Sequence, residues 1–164
     1  MEVITKDYFC TNFKAMDLTK ILSISGKPGL YRMVGDAKNK IIVESLVDGK
    51  RYPAFSHDKI SSLKEISIYT ENDDVLLEDV LKNIFKVMDG KPVSNPKKMP
   101  AEELKKLFGK ALPDYDKDAV YVSNMKSVFS WYNILLENNL IDLEEEQEQE
   151  EKTEEKEKTE NKNK

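Results

Sequence analysis

The spacing of apolar residues along this chain changes near residue 70. Before that point they come in short runs, at 21–24, 30–34, 40–46, 51–55 and 66–69, each rich in the Ile, Val, Tyr or Phe that suit a pleated, half-buried surface. Turn residues separate the runs. Ser25-Gly26-Lys27-Pro28-Gly29 reads as a loop and Gly35-Asp36-Ala37-Lys38-Asn39 as a hairpin loop. Asp48-Gly49 is the clearest tight turn, because a primed hairpin needs positive φ at its centre. Alternation is partial at Ile42, Glu44 and Leu46, which predicts bulges. Pro53 cannot donate to a ladder, so its strand is predicted at an edge or bulged. His57 to Glu65 reads as one helical or 3-10 turn, capped by a serine, ahead of a last strand at 66–69. Together these features predict an SH3-like β-barrel over residues 18–70, since closure hides strand edges in so small a domain.

Beyond residue 70 the period becomes helical. Leu77, Val80, Leu81, Ile84, Phe85 and Met88 form one apolar face, with Asp73 or Asp74 as the cap and Gly90 as the stop. The stretch VSNPKKM reads as a linker. Pro100 then suits the first position of a second helix, with face Leu104, Leu107, Phe108, Ala111 and Leu112, ended by Pro113. A third helix is predicted from Asn124 to about Asn139, capped by Ser123. Its face is Met125, Val128, Phe129, Tyr132, Leu135, Leu136 and Asn139, flanked by Trp131 and opposed by Ile134. That helix is apolar on more than one side, so it is either buried on two faces or offers a surface to a partner.

Charge adds a third region. Residues 144–164 hold ten Glu and five Lys and nothing apolar, which predicts a disordered acidic tail. Residues 18–70 carry nine Lys/Arg against five Asp/Glu, net +4, and 71–143 carry ten against thirteen, net −3. This asymmetry suits docking of one part on the other, or steering of an anionic partner to the barrel. Residues 1–17 show no clean period and are expected to be an N-terminal extension, with Met16 a second candidate start. No apolar run is long enough to span a bilayer and no signal peptide is seen, so a cytoplasmic protein without a membrane partner is expected. Cys10 is the one cysteine, which leaves no disulfide framework and no multi-cysteine zinc site.

Candidate chemistry is sparse. His57, the one histidine, would have to serve any Ser-His or Cys-His pair, and it sits at a strand-to-turn junction where a surface role is ordinary. SGKPG lacks the spacing of a phosphate loop and no long helix follows it. Asp114, Asp116 and Asp118 match the start of a calcium loop, but Ala119 and Met125 stand where glycine and glutamate are needed. No catalytic residue, metal ligand or cofactor is therefore expected. One constellation remains: Lys27, Tyr31, Arg32, Lys50, Arg51, Tyr52 and Phe55 interleave cations with aromatics on the barrel. This is the composition of a groove that pairs phosphates and stacks bases, and equally of a small barrel with its aromatics in the core.

The segments LTKILSISGKPGLYRMV, IIVESLVDGKRYPAFS, ISSLKEISIYT and LPDYDKDAVYVSNMKSVFSWYNILL resemble a family of uncharacterised bacterial proteins, a domain-of-unknown-function family. The resemblance covers residues 16–136, and SISGKPGLY and FSWYN are its most specific motifs. It implies an N-terminal β domain, a C-terminal helical domain and often a variable charged tail, with members starting near Met16. Met99 stands before Pro100 where the family pattern would place a capping serine. The resemblance carries over no activity.

The expectation is an α+β protein: an SH3-like barrel over 18–70, a three-helix segment over 71–143 and the tail. It is expected to be a non-catalytic binding or adaptor protein acting through protein contacts, using the barrel surface or the Trp131 helix. The alternative is an RNA-binding or ribosome-associated module using the basic aromatic face. Oligomeric state is left open.

Overall fold

The structure, a computed structural model, describes residues 18–141. The expected extension over 1–17 and the expected tail over 144–164 lie outside the described residues.

The N-terminal half is a five-stranded antiparallel sheet. Its strands are β1 (Ile21–Ile24), β2 (Tyr31–Ala37), β3 (Lys40–Ser45), β4 (Arg51–Phe55) and β5 (Ile60–Ser62), in the order β4-β3-β2-β1-β5. β2, β3 and β4 form a meander. The β2–β3 ladder slips between Met33 and Gly35, a bulge of the kind the broken alternation implied. β4 is an edge strand, so the missing donor of Pro53 disrupts no inner ladder. At the tight turn Gly49 has φ +69°, its N–H donates to Ser45 O (2.9 Å), and Ser45 N–H donates to Lys50 O (2.8 Å).

The edge opposite β4 differs from the expectation. The strand that pairs with β1 is the three-residue β5, which lies within the stretch 57–65 expected to be a turn. A 3-10 turn (Leu63–Glu65) follows β5 and precedes the run at 66–69, as expected, and Leu63 is fully buried. Ser62 precedes this turn but does not cap it. Its hydroxyl donates to the carbonyls of Thr19 (3.3 Å) and Leu18 (3.5 Å), which ties the turn to the chain entering β1. The β-prone run then contributes β6 (Ser67–Ile68), paired with β7 (Val75–Leu76) in a separate two-stranded ladder. The five-stranded sheet has β4 and β5 as its edges, and no closed barrel is seen among the described residues.

Three helices follow: α1 (Leu77–Met88), α2 (Ala101–Ala111) and α3 (Val122–Glu137). α1 starts after Leu76, because Asp73 is engaged in a turn in which its N–H donates to the Thr70 hydroxyl (3.1 Å). It ends where Asp89 and Gly90 turn left-handed and Gly90 N–H donates to Phe85 O (3.0 Å). α2 begins one residue after Pro100. α3 begins ahead of Ser123: Tyr121 N–H donates to Asn124 Oδ1 (3.2 Å), so the start is fixed by a side chain reaching back.

Buried residues fall into two clusters. The larger joins Leu18, Ile21, Leu30 and Leu63 to the faces of all three helices, with Phe108, Phe129 and Tyr132 at its heart. Phe108 meets Tyr115 and Phe129 edge-on, at 5.2 and 6.0 Å. The smaller cluster lies on one face of the sheet: Leu22, Ile24, Tyr31, Val43 and Ala54. Among the described residues no helix is long and apolar enough to cross a membrane.

Candidate functional site

Strand alternation sorts the predicted residues. Tyr31 and Tyr52 face the same side as Val43, because Leu22, Tyr31 and Ser45 align across the ladder and Met33, Val43 and Tyr52 do so two pairs along. Arg32 and Arg51 each align with Glu44 and therefore face the opposite side. Arg51 Nε lies 3.1 Å from Glu44 Oε2, an exposed pair. Lys50 stands on the turn, 4.0 Å from Asp48. The cations and aromatics that interleave in sequence are thus divided between two faces in space.

What does converge is a cleft of about 820 Å³ between the 25–29 loop, the turn after β3, and α3. Lys27, Tyr31, Tyr52 and Trp131 all line it; Arg32, Lys50 and Arg51 do not. Tyr31 is buried at its base. Its hydroxyl donates to Pro28 O (3.1 Å) and its ring meets Tyr52 edge-on at 6.4 Å and 84°. Tyr52 is more open, and its hydroxyl donates to Asp48 Oδ2 (3.3 Å). Across the cleft stand the half-buried Trp131 and Ile134. α3 is therefore covered on two sides only in part, and its second apolar face forms a wall. Trp131 also lines a smaller cavity of about 180 Å³ with Ile68 and Val120.

The turn beside the cleft is tightly held. The Ser45 hydroxyl accepts the N–H groups of Val47 (3.3 Å) and Asp48 (3.4 Å), and Asp48 Oδ1 accepts that of Lys50 (3.3 Å). Hydrogen bonding to Ser45 chiefly, then to the Lys50 amide and the Tyr52 hydroxyl, holds the Asp48 carboxyl below its ordinary pKa. Burial first, then the neighbouring Tyr52 and Asp48, pushes the Tyr31 phenol up. Burial followed by the charge of Asp48 does the same to Tyr52.

Two cleft lysines carried no sequence signal as site residues. Lys97 comes from the linker between α1 and α2, and Lys126 from the first half of α3. The linker is held to α3 by Asn133, whose Oδ1 accepts Val93 N–H and whose Nδ2 donates to Val93 O, both at 2.8 Å. The far end of α3 is tied to the sheet by Asn138 Nδ2, which donates to Leu46 O (3.2 Å). Among the described residues the ammonium groups of Lys27, Lys97 and Lys126 hold no ion pair, and Asp48 is the one carboxylate lining the cleft.

The other sequence candidates lie elsewhere. His57 is exposed, stacked on Phe55 at 5.5 Å, with Nε2 3.8 Å from Asp58 Oδ1. Asp116 Oδ1 accepts the N–H groups of Asp118 (2.8 Å) and Ala119 (3.1 Å), so it shapes its own turn.

Comparison with known proteins fits this layout. Residues 18–63 match the model of a domain of unknown function (DUF5606), and residues 66–135 that of a second domain of unknown function (DUF6852). The solution NMR structure of a Bacteroides vulgatus protein, a structural-genomics target, is 44% identical to this chain. The match covers 77% of this chain and 90% of that one, with a TM-score of 0.65. No curated protein matches.

Proposed function

The chain belongs to the family that joins these two domains of unknown function, and from that premise we propose that it is a non-catalytic binding protein whose partner is another protein. The observation that carries this reading is the gathering of Lys27, Tyr31, Tyr52 and Trp131 around one cleft from distant parts of the chain. Tyrosine and tryptophan side chains gathered at a concave surface are common anchors of a protein contact. The sheet in this reading is an SH3-like barrel. Its support is the meander of β2 to β4, the return of β5 to β1, and the 3-10 turn beside β5.

The alternative, an RNA-binding or ribosome-associated module, needs a face on which cations flank exposed rings. Arg32 and Arg51 lie on the other side of the sheet from Tyr31 and Tyr52, and the Tyr31 ring is buried. Both facts favour the protein reading.

The test is site-specific photo-crosslinking in native lysate, with a benzophenone amino acid in place of Tyr52 and, as control, in place of Lys105 on α2. The expected result is one protein adduct from position 52 that survives nuclease and is absent from position 105. Equal adducts from both positions, or loss on nuclease treatment, would overturn the proposal.

A further inference from the structure

We infer that the cleft takes an extended, carboxylate-rich segment of the partner, with an apolar or aromatic side chain of that segment seated between Tyr52 and Trp131. This rests on the protein-binding reading above and narrows it to one chemistry.

Charge complementarity carries the inference. Three lysines from three separate elements, the 25–29 loop, the α1–α2 linker and α3, line one cleft. None has a carboxylate partner among the described residues. The lining carboxylate, Asp48, is already occupied by Ser45, Tyr52 and the Lys50 amide. Three ammonium groups stand against this one carboxylate, so the cleft is left with an excess of cations. Such an excess attracts anions and rejects basic segments.

The residue types narrow the anion. Both arginines of the sheet, whose planar forks would pair bidentately with phosphate or carboxylate alike, lie on the other face, one of them bound to Glu44, so the cleft offers lysine point charges beside its apolar lining. Lysines are flexible point charges that suit carboxylates spaced along a chain. Between them Ile24, Val47, Ile134 and the aromatics give an apolar lining. A volume of about 820 Å³ exceeds that of any single side chain and accommodates several residues of a peptide. The walls are held in place by the Ser45 turn, by the Asn133 clasp and by Asn138, so little order has to be created on binding.

The experiment titrates the full chain with four fluorescent probes. They are a peptide of glutamates around a central phenylalanine, its lysine-for-glutamate analogue, its alanine-for-phenylalanine analogue, and an oligouridylate. Anisotropy gives affinity, and the amide shifts of residues 25–29 with the Trp131 indole signal give location. The glutamate peptide is expected to bind at the cleft and to weaken as salt is raised. The alanine analogue should bind about tenfold more weakly, the loss expected for one apolar anchor. Lys27→Glu combined with Lys97→Glu, both exposed and so harmless to folding, should cost about tenfold or more. Binding of the lysine analogue equal to that of the glutamate peptide, shifts outside the cleft, or no peptide binding would each overturn the inference. A surviving crosslink at position 52 would then leave the protein-binding reading standing. Tighter binding of the oligouridylate at the same signals would overturn both.

Discussion

Asn133 spends its whole amide on one residue, Val93, giving and taking a hydrogen bond of 2.8 Å each. Val93 is only 2% exposed, so water does not readily replace either bond. Asn133→Leu leaves two buried backbone groups unpaired and should cost about 2 to 6 kcal/mol in urea unfolding, since each orphaned group costs about 1–3. A change below about 0.5 kcal/mol would show that the linker is not held this way. Tyr132 is a second such residue: its ring is fully buried, its hydroxyl donates to Lys91 O (3.0 Å), and burial raises its pKa. Because the folded value lies above the ordinary 10.0, its stabilising effect is complete below pH 10 and is lost as pH rises through the folded value. Tyr132→Phe should flatten part of the alkaline decline in stability, with Tyr31 keeping the rest, and cost about 1 kcal/mol at neutral pH. An unchanged alkaline arm would refute the assignment. Asp48 has the reverse sign. Its folded pKa lies below the ordinary 3.8, so its contribution is complete above that value and fades as pH falls through the folded one. In Asp48→Asn the acid arm should shrink, as read from urea-unfolding free energies measured across an acid titration, and an unchanged arm would refute it.

At the scale of elements, the helices were legible and the sheet edge was not. All three helices stand where the apolar period puts them, with ends shifted by a few residues because the caps are not the expected ones. α1 stops at Gly90 for a reason local to the sequence. A Cβ there would lie 3.2 Å from the Phe85 ring, at φ +68°. Gly90→Ala should therefore destabilise by about 1 to 2 kcal/mol for the left-handed backbone, and by more than Gly49→Ala. At Gly49 φ is +69° but nothing lies within 4 Å. Equal thermal shifts in the two variants would mean that the ring yields freely. The strand paired with β1 was harder to read. Ile60-Ser61-Ser62 is short and half polar, while Ile66 to Tyr69 has every local mark of a strand. The choice between them is made by burial of Leu63 and by the Ser62 bonds to Leu18 and Thr19, more than forty positions away in sequence. The division of the cationic residues was legible in principle. Tyr31 and Arg32 are neighbours in one strand, as are Arg51 and Tyr52, and neighbours in a strand face opposite ways. Lys97 and Lys126 had no such signal, since only the packing of the linker and α3 brings them to the Tyr31 side of the sheet.

At the scale of the molecule, the two family models meet between residues 63 and 66, yet the core does not divide there. Leu18, Ile21, Leu30 and Leu63, all N-terminal to that boundary, are 0–2% exposed and belong to the same cluster as Leu77, Leu81, Phe129 and Tyr132. What the sheet buries without the helices is the smaller cluster around Val43, with three large members in Leu22, Ile24 and Tyr31. Fully burying one Leu or Ile is worth about 1.5–3 kcal/mol. Four such side chains set free would cost about 6–12, on the scale of the whole stability of a small domain. A fragment of residues 16–65 is therefore expected not to fold alone, and the intact chain to unfold in one step despite matching two family models. Proton–nitrogen correlation spectra of the fragment test the first point, where poor dispersion is expected and well-spread signals would refute it. Urea unfolding followed separately at Trp131 and by far-ultraviolet circular dichroism tests the second. Coincident transitions are expected, because Ile21 and Leu63 cannot leave the common core without exposing the helix faces packed on them. Two separated transitions would mean that the sheet and helices hold together independently, and the cleft between them would then open before either half unfolds.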